Sequence, residues 1–468
     1  MTQVNLPSRT ETDSLGDVQI PAGSYYGAQT QRAVDNFPIS GHRMPPPFIH
    51  AMGRIKSAAA TVNEDLGKLD SKVAAWIREA AAEVADGKLD DHFPIDVFQT
   101  GSGTSSNMNT NEVISNRAIE IAGGEVGSKA PVHPNDHVNH GQSSNDVVPT
   151  AIRVSVACAI QYHLIPALET LAVGLESKAE QWTEICKIGR THLMDATPLT
   201  LGQEFSGYAA QVRKGIERAY RAIDVARELP LGGTAVGTGI NAHPEFAARV
   251  CDVLHADTGI DFYEAANHFE AQATNDACVE VSGLLRTIAT SFAKIANDVR
   301  MLGSGPRCGI GEIKIPSLQP GSSIMPGKVN PVMSEMLAQV SMYVMGLDVT
   351  NTIAGRDGHF ELLVTLPVMC HALHEQIRVL ANGAAVFQER CIQDLEADAE
   401  RCRELVEKSL MLVTALNPEI GYDAAASVAK QAYAENKTLR EVVLERGLLD
   451  EARLDELLDP ISMTQPKA

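Results

Sequence analysis

Through the middle of the chain, apolar residues recur in steps of three and four. Between Thr200 and Glu228 they fall at Leu201, Phe205, Tyr208, Ala209, Val212, Ile216, Tyr220, Ile223 and Val225, with no proline among them. That spacing marks one face of an α-helix. Thr200 with Gln203 forms a capping box at its start, and Pro230 closes the segment. A second run carries Val279, Val281, Leu284, Leu285, Ile288, Phe292, Ile295, Val299 and Leu302 before Gly303 stops it. A third starts with Asn330 as N-cap and Pro331 at the first helical position, and ends at Gly355. A fourth begins near Asn145 and passes Ala159, with a kink expected at Pro166. Helices of about 28 residues are about 40 Å long. The runs Val281–Leu302 and Val332–Leu347 carry few charges around their circumference, so the pattern predicts burial on most sides. One chain struggles to bury several such rods along their whole length. The expectation is a helical bundle completed by further copies, a homo-oligomer.

Outside these rods the pattern changes. Residues 1–142 read as irregular, with Met44-Pro45-Pro46-Pro47 and several Gly/Ser/Asn loops. From about Arg401 short amphipathic helices follow, one of them opened by a Thr438/Glu441 capping box. The chain has 468 residues, more than one hydrophobic core commonly serves. The predicted fold is mainly α with three domains: 1–142, a central long-helix domain 143–398, and a small helical domain 399–468.

Charge narrows the partners. Thirty-nine Lys and Arg against 59 Asp and Glu leave a net charge of −20. Nucleic acid and anionic membrane surfaces both demand a basic footprint, so neither is expected as a partner. An anionic ligand must be held by a local positive site working against a negative global field. The N-terminal residues lack the basic flank and apolar run of a signal peptide. The longest near-uncharged stretch, Val154–Leu168, is too short and too polar for a membrane span. Eight scattered cysteines with no CxxC pair argue for reduced, buried thiols and a cytoplasmic location.

Four polar segments carry candidate chemistry. Gly321-Ser322-Ser323-Ile324-Met325-Pro326-Gly327-Lys328-Val329-Asn330 is not a phosphate loop, because five residues separate its glycines and Val329 follows the lysine. It still gathers hydroxyls, backbone N–H groups and the Lys328 charge ahead of a helix N-terminus, a combination that suits an anion. Thr100 to Asn109, Gly141 to Asp146 and Gly189 to Asp195 repeat this character. Ser, Thr and Asn there also serve as ordinary helix caps, but four such segments in one chain point to a shared site for a small polyanion. No metal site is expected: His133, His137 and His140 are close in sequence, yet no HExxH occurs and Pro134 breaks helical presentation. The stretch Leu231 to Gly239 lacks a preceding strand and a GxGxxG register, so it reads as a close-packed turn and not a dinucleotide loop.

Taken together, these segments resemble the fumarase/aspartase superfamily, and class II fumarases closely. The signature GSSxMPxKxN stands at Gly321 to Asn330 with every fixed position matched. TGSGTSSNMN, HPND, GQSSND, GRTHLMDATPLTLGQEFSGY and LGGTAVGTGINAHP occur in family order, from roughly Asp17 to the tail. Within the superfamily, His192 follows the threonine where aspartases typically carry glutamine. The resemblance therefore implies a cofactor-free hydro-lyase of the tricarboxylic acid cycle that interconverts fumarate and (S)-malate. It also implies a homotetramer around a core helical bundle, each site drawing loops from three chains.

By the same resemblance Ser322 is the base, its hydroxyl acidified by Lys328 and loop N–H groups, and His192 is the acid, acting through a water and oriented by Glu335. Ser102, Gly103, Thr104, Ser143, Ser144, Asn145, Thr191, Ser323, Lys328 and Asn330 would bind the two carboxylates. His133, Pro134, Asn135 and Asp136 resemble a second anion site of some fumarases, although Ala130 stands where an arginine is common, with Lys129 as a substitute. Leu363 stands where asparagine is common, and His359 and Thr365 are also unusual. The alternatives are an aspartate ammonia-lyase, which His192 disfavours, and a catalytically silent helical scaffold, which the intact Ser322, Lys328, Asn330, His192 and Glu335 disfavour.

Overall fold

The computed structural model describes residues 7–466. In chain order the elements are β1 (Ser8–Asp13), β2 (Gly16–Pro21), α1 (Ala28–Asn36), α2 (Pro46–Asp65), α3 (Ser71–Ala85), α4 (Thr104–Ile121), α5 (Ser144–Ala159) and α6 (Ile165–Gln181). Then come β3 (Cys186–Thr191), β4 (Met194–Thr200), α7 (Leu201–Ala226), β5 (Glu228–Leu229), α8 (Phe246–Thr258), β6 (Tyr263–Glu264), α9 (His268–Ala273) and α10 (Asp276–Leu302). The chain ends with β7 (Ile313–Lys314), α11 (Val332–Arg356), β8 (Gly358–His359), β9 (Leu362–Leu363), α12 (Leu366–Phe387), β10 (Glu396–Ala397), α13 (Ala399–Lys408), α14 (Asn417–Ile420), α15 (Tyr422–Glu435), α16 (Leu439–Glu445) and α17 (Glu451–Leu457). The chain is mainly α, as its pattern predicts. Its strands form only two-stranded pieces, all antiparallel except β5 with β6.

The rods follow the apolar spacing. Thr200 and Gln203 cap each other reciprocally at the start of α7, at 2.9 and 3.0 Å. The fourth rod runs continuously through Pro166, where the sequence predicts a kink, and changes its winding just ahead of it. A π-helical turn, Ile160–Leu164, joins α5 to α6 ahead of Pro166, where proline has no N–H to return to the preceding turn. The continuous helical run Ser144–Gln181 has 38 residues and is long and apolar enough to cross a membrane by length and composition. This corrects the reading based on Val154–Leu168 alone. Half of its most apolar window lies inside the protein, which is how a core helix passes the same test.

Residues 1–142 are not irregular: they hold α1 to α4. Alanine-rich α2 and α3 pack so closely that a Cβ on Gly53 would lie 2.6 Å from the Ala85 nitrogen. α4 buries polar side chains, among them Asn107, Asn109, Thr110 and Asn111, so no amphipathic stripe announces it. Five of the eight free cysteines are buried, whereas Cys308 is exposed, against expectation.

The chain divides into two compact units. The first comprises 1–166, 217–289 and 342–381, and the second 167–216, 290–341 and 382–468. In the first, α2 packs on α3, α5 and α8, and Phe48, Met52, Ile55, Ile77 and Val84 are buried at its centre. In the second, Val406, Leu412, Leu416, Val428, Val442 and Leu454 form one apolar cluster that includes Ile188 of β3. On α11, Met342, Val349 and Ile353 are exposed in the single chain, whereas the expectation of burial on most sides concerned a bundle completed by further copies.

Candidate active site

Within the first unit, two of the four candidate segments line a cleft of about 1190 Å³, through Asn107 and Met108 and through Gly141 to Ser144, while Ser102, Gly103, Thr104 and Asn145 lie outside its lining. Gly103, at φ 73°, turns the chain into α4, and a Cβ there would lie 2.7 Å from Val148. Glycine at this point lets Ser102 and Thr104 sit together, with their hydroxyls 2.8 Å apart. Ser143 caps α5 in a capping box with Asp146. Ser144, at the first helical position, accepts a 3.0 Å hydrogen bond from Asn107 Nδ2. Asn145 donates to the Ala235 carbonyl at 2.8 Å. Asp146 turns inward, fully buried, and accepts from the N–H groups of Ser143, Gly232 and Thr234 at 2.9 to 3.0 Å. Burial pushes its carboxyl up, against the pull of those three donors. The glycine stretch after Leu231 is therefore held to the start of α5 through Asp146. A two-residue strand, β5, does precede it, contrary to the sequence reading, but the N–H groups of Gly232 and Thr234 are engaged by the Asp146 carboxylate and not left free for a pyrophosphate.

Several cleft residues were not singled out from the sequence. Asn107, Asn139 and Gln142 present amides to the cleft, and Lys56 lies beneath them, donating to Asn139 and Gln142 at 2.9 Å each. The available signal was a charge on the buried face of α2, in register with Met52, Ala59 and Asn63.

In the second unit, β3 and β4 form a hairpin with the register Thr191↔Met194 at its tip and a shift between Ile188 and Arg190. Gly189 at that shift approaches Thr197 so closely that a Cβ would lie 2.5 Å from its carbonyl oxygen. The two loop residues, His192 and Leu193, both have positive φ, 56° and 62°. Such a tight turn ordinarily uses Gly or Asn, and each non-glycine residue there stores roughly 1 kcal/mol of strain. The turn projects an exposed His192 beside exposed Leu193 and Met194. Below it, buried Glu312 accepts two 3.0 Å bonds from Arg190, and Lys187 stands 3.3 Å away.

The 321–330 loop lies in the same unit and is pinched at its neck. Gly321 N donates to the Lys328 carbonyl at 2.7 Å, and Asn330 Nδ2 donates to the Gly321 carbonyl at 2.8 Å. A Cβ on Gly321 would lie 2.6 Å from the Lys328 oxygen. Ser322 Oγ accepts N–H bonds from Met325 at 2.9 Å and Ile324 at 3.2 Å. Ser323 and Lys328 are exposed, and among the described residues Lys328 has no ion-pair partner. Glu335 is exposed in the first turn of α11; among the described residues no hydrogen bond joins it to His192 within the chain.

His133 opens a π-helical turn, its Nδ1 accepting from the N–H groups of Asn135 and Asp136. His137 Nδ1 accepts in turn from the His133 N–H at 2.9 Å. These rings serve the backbone, and among the described residues no His/Cys/Asp/Glu group is arranged for a metal. Lys129 donates to the Thr12 carbonyl at 2.6 Å, in a small recess of about 30 Å³ also lined by Pro134, Glu11 and Asp13. Leu363 is buried and Phe360, at the tip of the β8–β9 hairpin, is exposed with φ 53°. Nothing in the structure explains leucine at 363.

Comparison with known proteins sets this arrangement in context. Residues 16–346 match the family model described as lyase, and residues 412–465 match the one described as the fumarase C C-terminus. The chain is 54% identical to the mitochondrial fumarate hydratase of Saccharomyces cerevisiae, over 99% of this chain and 96% of that protein. It is 52% identical to a class II fumarate hydratase of Neisseria meningitidis, over 98% and 100%. Its structure superposes on a class II fumarase from Schistosoma mansoni with a TM-score of 0.96 at 39% identity, covering 99% of this chain and all of that one. A fumarate lyase:delta crystallin from Brucella melitensis gives 0.90 at 43% identity, covering 97% of this chain and all of that one.

Proposed function

We propose a reaction that starts from kinship: the chain belongs to the class II fumarate hydratase family of lyases. It catalyses the reversible addition of water to fumarate, giving malate. In the dehydration direction, the Ser322 oxygen takes a proton from the carbon next to one carboxylate. The C–H electron pair moves into that carboxylate, which becomes an aci-carboxylate with extra negative charge. The C–O bond on the adjacent carbon then breaks on the opposite face, and the hydroxyl leaves as water with a proton from His192, relayed by a bound water. The product is fumarate, and the hydrated partner is the (S)-malate that the family resemblance implies.

One observation carries this reading. Ser322 Oγ accepts two backbone N–H bonds from its own loop, and donors fixed on an oxygen favour its anionic form. Lys328, six residues on and without an ion-pair partner among the described residues, adds a positive charge to the same loop. Ser102, Gly103, Thr104, Ser143, Ser144, Asn145, Thr191, Ser323 and Asn330 supply hydroxyls, amides and N–H groups for two carboxylates.

A homotetramer fits the exposed Met342, Val349 and Ile353 face of α11, with each site drawing loops from three copies and Glu335 of one chain orienting His192 of another. The three-domain division 1–142, 143–398 and 399–468, a cytoplasmic location without membrane or nucleic-acid partners, and a second anion site at His133–Asp136 belong to the same reading. Following fumarate absorbance on malate, and separately on aspartate, tests it. Signal growth on malate alone supports the hydratase; growth on aspartate alone overturns the argument from His192. Ser322→Ala should assemble normally and lose turnover, and normal turnover by that variant would remove Ser322 from the role of base.

A further inference from the structure

Lys56 of α2 has no exposed surface, yet among the described residues no carboxylate stands within ion-pair distance of it. Its ammonium donates to two side-chain amides, Asn139 Oδ1 and Gln142 Oε1. A buried cation ordinarily has an anionic partner. The carboxylate whose charge reaches Lys56 is Asp146, and three backbone N–H groups already surround that one. Charged groups on the other helices packed against α2 are engaged elsewhere: Arg78 of α3 with Glu64, Glu83 of α3 with Arg117, and Asp257 of α8 with Arg54. Glu112 of α4 accepts from the N–H groups at the start of α1.

The amides that hold Lys56 are walls of the active-site cleft. Asn139 Oδ1 also accepts from Asn107 Nδ2 at 3.2 Å, and Asn107 Nδ2 reaches Ser144 Oγ as well. Asn139 Nδ2 donates to the Gln142 carbonyl, and Gln142 Nε2 to the carbonyls of Val138 and His140. Because the Lys56 ammonium can only donate, both amide oxygens face it while it is charged, and the orientation of the array up to Ser144 follows.

We propose that Lys56 is a positioning residue for the dicarboxylate site: its charge fixes the Asn107–Asn139–Gln142–Ser144 array, and the bound dianion completes its electrostatic partnership. The inference rests on the reading of the cleft as a dicarboxylate site. Burial pulls the Lys56 ammonium down to about 7, so near neutral pH a fraction of empty sites lacks this proton and binding a dianion draws it back. The same cleft is also lined by the histidines His137, His140 and His243 and by Asp136 and Lys68. A variant must therefore separate them from Lys56.

Calorimetric titration with succinate, a saturated dicarboxylate, at pH 7.5 in buffers of different ionisation heat reads the protons taken up. The wild-type protein should take up a substantial fraction of one proton. Lys56→Met should take up none of that fraction, and its KM for malate should rise roughly ten-fold, the scale of such couplings, with kcat changed far less. Lys56→Arg, which keeps the charge but does not titrate, should bind without that uptake, and it keeps the test open if Lys56→Met fails to fold. Succinate binding without proton uptake in the wild type overturns the role of Lys56 alone, as does equal uptake in wild type and variants. Absence of any succinate binding by the wild type overturns the dicarboxylate reading with it.

Discussion

Replacing Glu312 by glutamine removes one negative charge from beneath the hairpin that carries His192. The Glu312 side chain is fully buried and accepts two parallel 3.0 Å bonds from Arg190, while Lys187, itself buried, lies 3.3 Å away and 3.0 Å from Glu204. Two unit charges about 4 Å apart attract by about 4 kcal/mol at an effective dielectric constant of 20. Glutamine retains the shape but offers one oxygen and turns an NH₂ group towards a cation. Lys187 then keeps Glu204 as its ion-pair partner, and among the described residues Arg190 is left with none. Breaking a buried pair from one side destabilises proteins by about 3–5 kcal/mol, and this site has the burial and the bidentate geometry for that range. Denaturant unfolding at fixed protein concentration should show the loss as a lower midpoint. Turnover under native conditions should fall as well, because Arg190 directly precedes Thr191 and His192. An unfolding free energy within about 0.5 kcal/mol of wild type, the range of ordinary surface changes, would refute the claim that this network anchors the hairpin.

Other perturbations follow from single observations. His374 is buried, and its Nε2 lies 2.9 Å from Ser155 Oγ, whose hydrogen is engaged by the Ile152 carbonyl, so the ring donates. Burial pulls its pKa from 6.5 to about 4; the unfolded chain then binds more protons between these values, and stability is lost as pH falls from 6.5 towards 4, by up to about 3 kcal/mol. His374→Gln should flatten that acid limb in thermal melts at pH 4.5 to 7, and an unchanged slope would show the titrating group to be another. In Gly101→Ala the new Cβ would stand 1.9 Å from the Val364 oxygen, so the loop carrying Ser102 must shift. Displacements of about 1 Å can lower kcat/KM about 100-fold, and a variant with wild-type kinetics would show the loop to be uninvolved. Thr438→Ala removes the hydroxyl side of the capping box at α16, its bonds with the Glu441 N–H and carboxylate, and should lower stability by about 1 kcal/mol without touching turnover, measurable by denaturant unfolding beside a malate assay.

The amino-acid sequence determined by itself whatever depends on neighbours along the chain. The rods are legible because a 3.6-residue period places apolar residues on one face, and the Thr200/Gln203 and Thr438/Glu441 boxes need only residues three apart. The two N–H bonds on Ser322 Oγ come from Ile324 and Met325, so a ten-residue motif carries its own chemistry. Tertiary structure decided the rest. α4 has a legible start near Thr104 but no apolar stripe, because its buried face is polar, and only residues distant in sequence supply partners for Asn107 and Glu112. The Ser144–Gln181 run stays continuous through Pro166 and takes one π-helical turn, Ile160–Leu164, just ahead of it, a change of winding that the proline's position alone did not locate. Lys56, Asn139 and Asp146 are far apart or unremarkable in sequence; three-dimensional packing makes one an unpaired buried cation, one its amide acceptor, and one the clamp on Gly232 and Thr234. Burial and the direction of a side chain are properties of what lies across from it, and no local pattern encodes them.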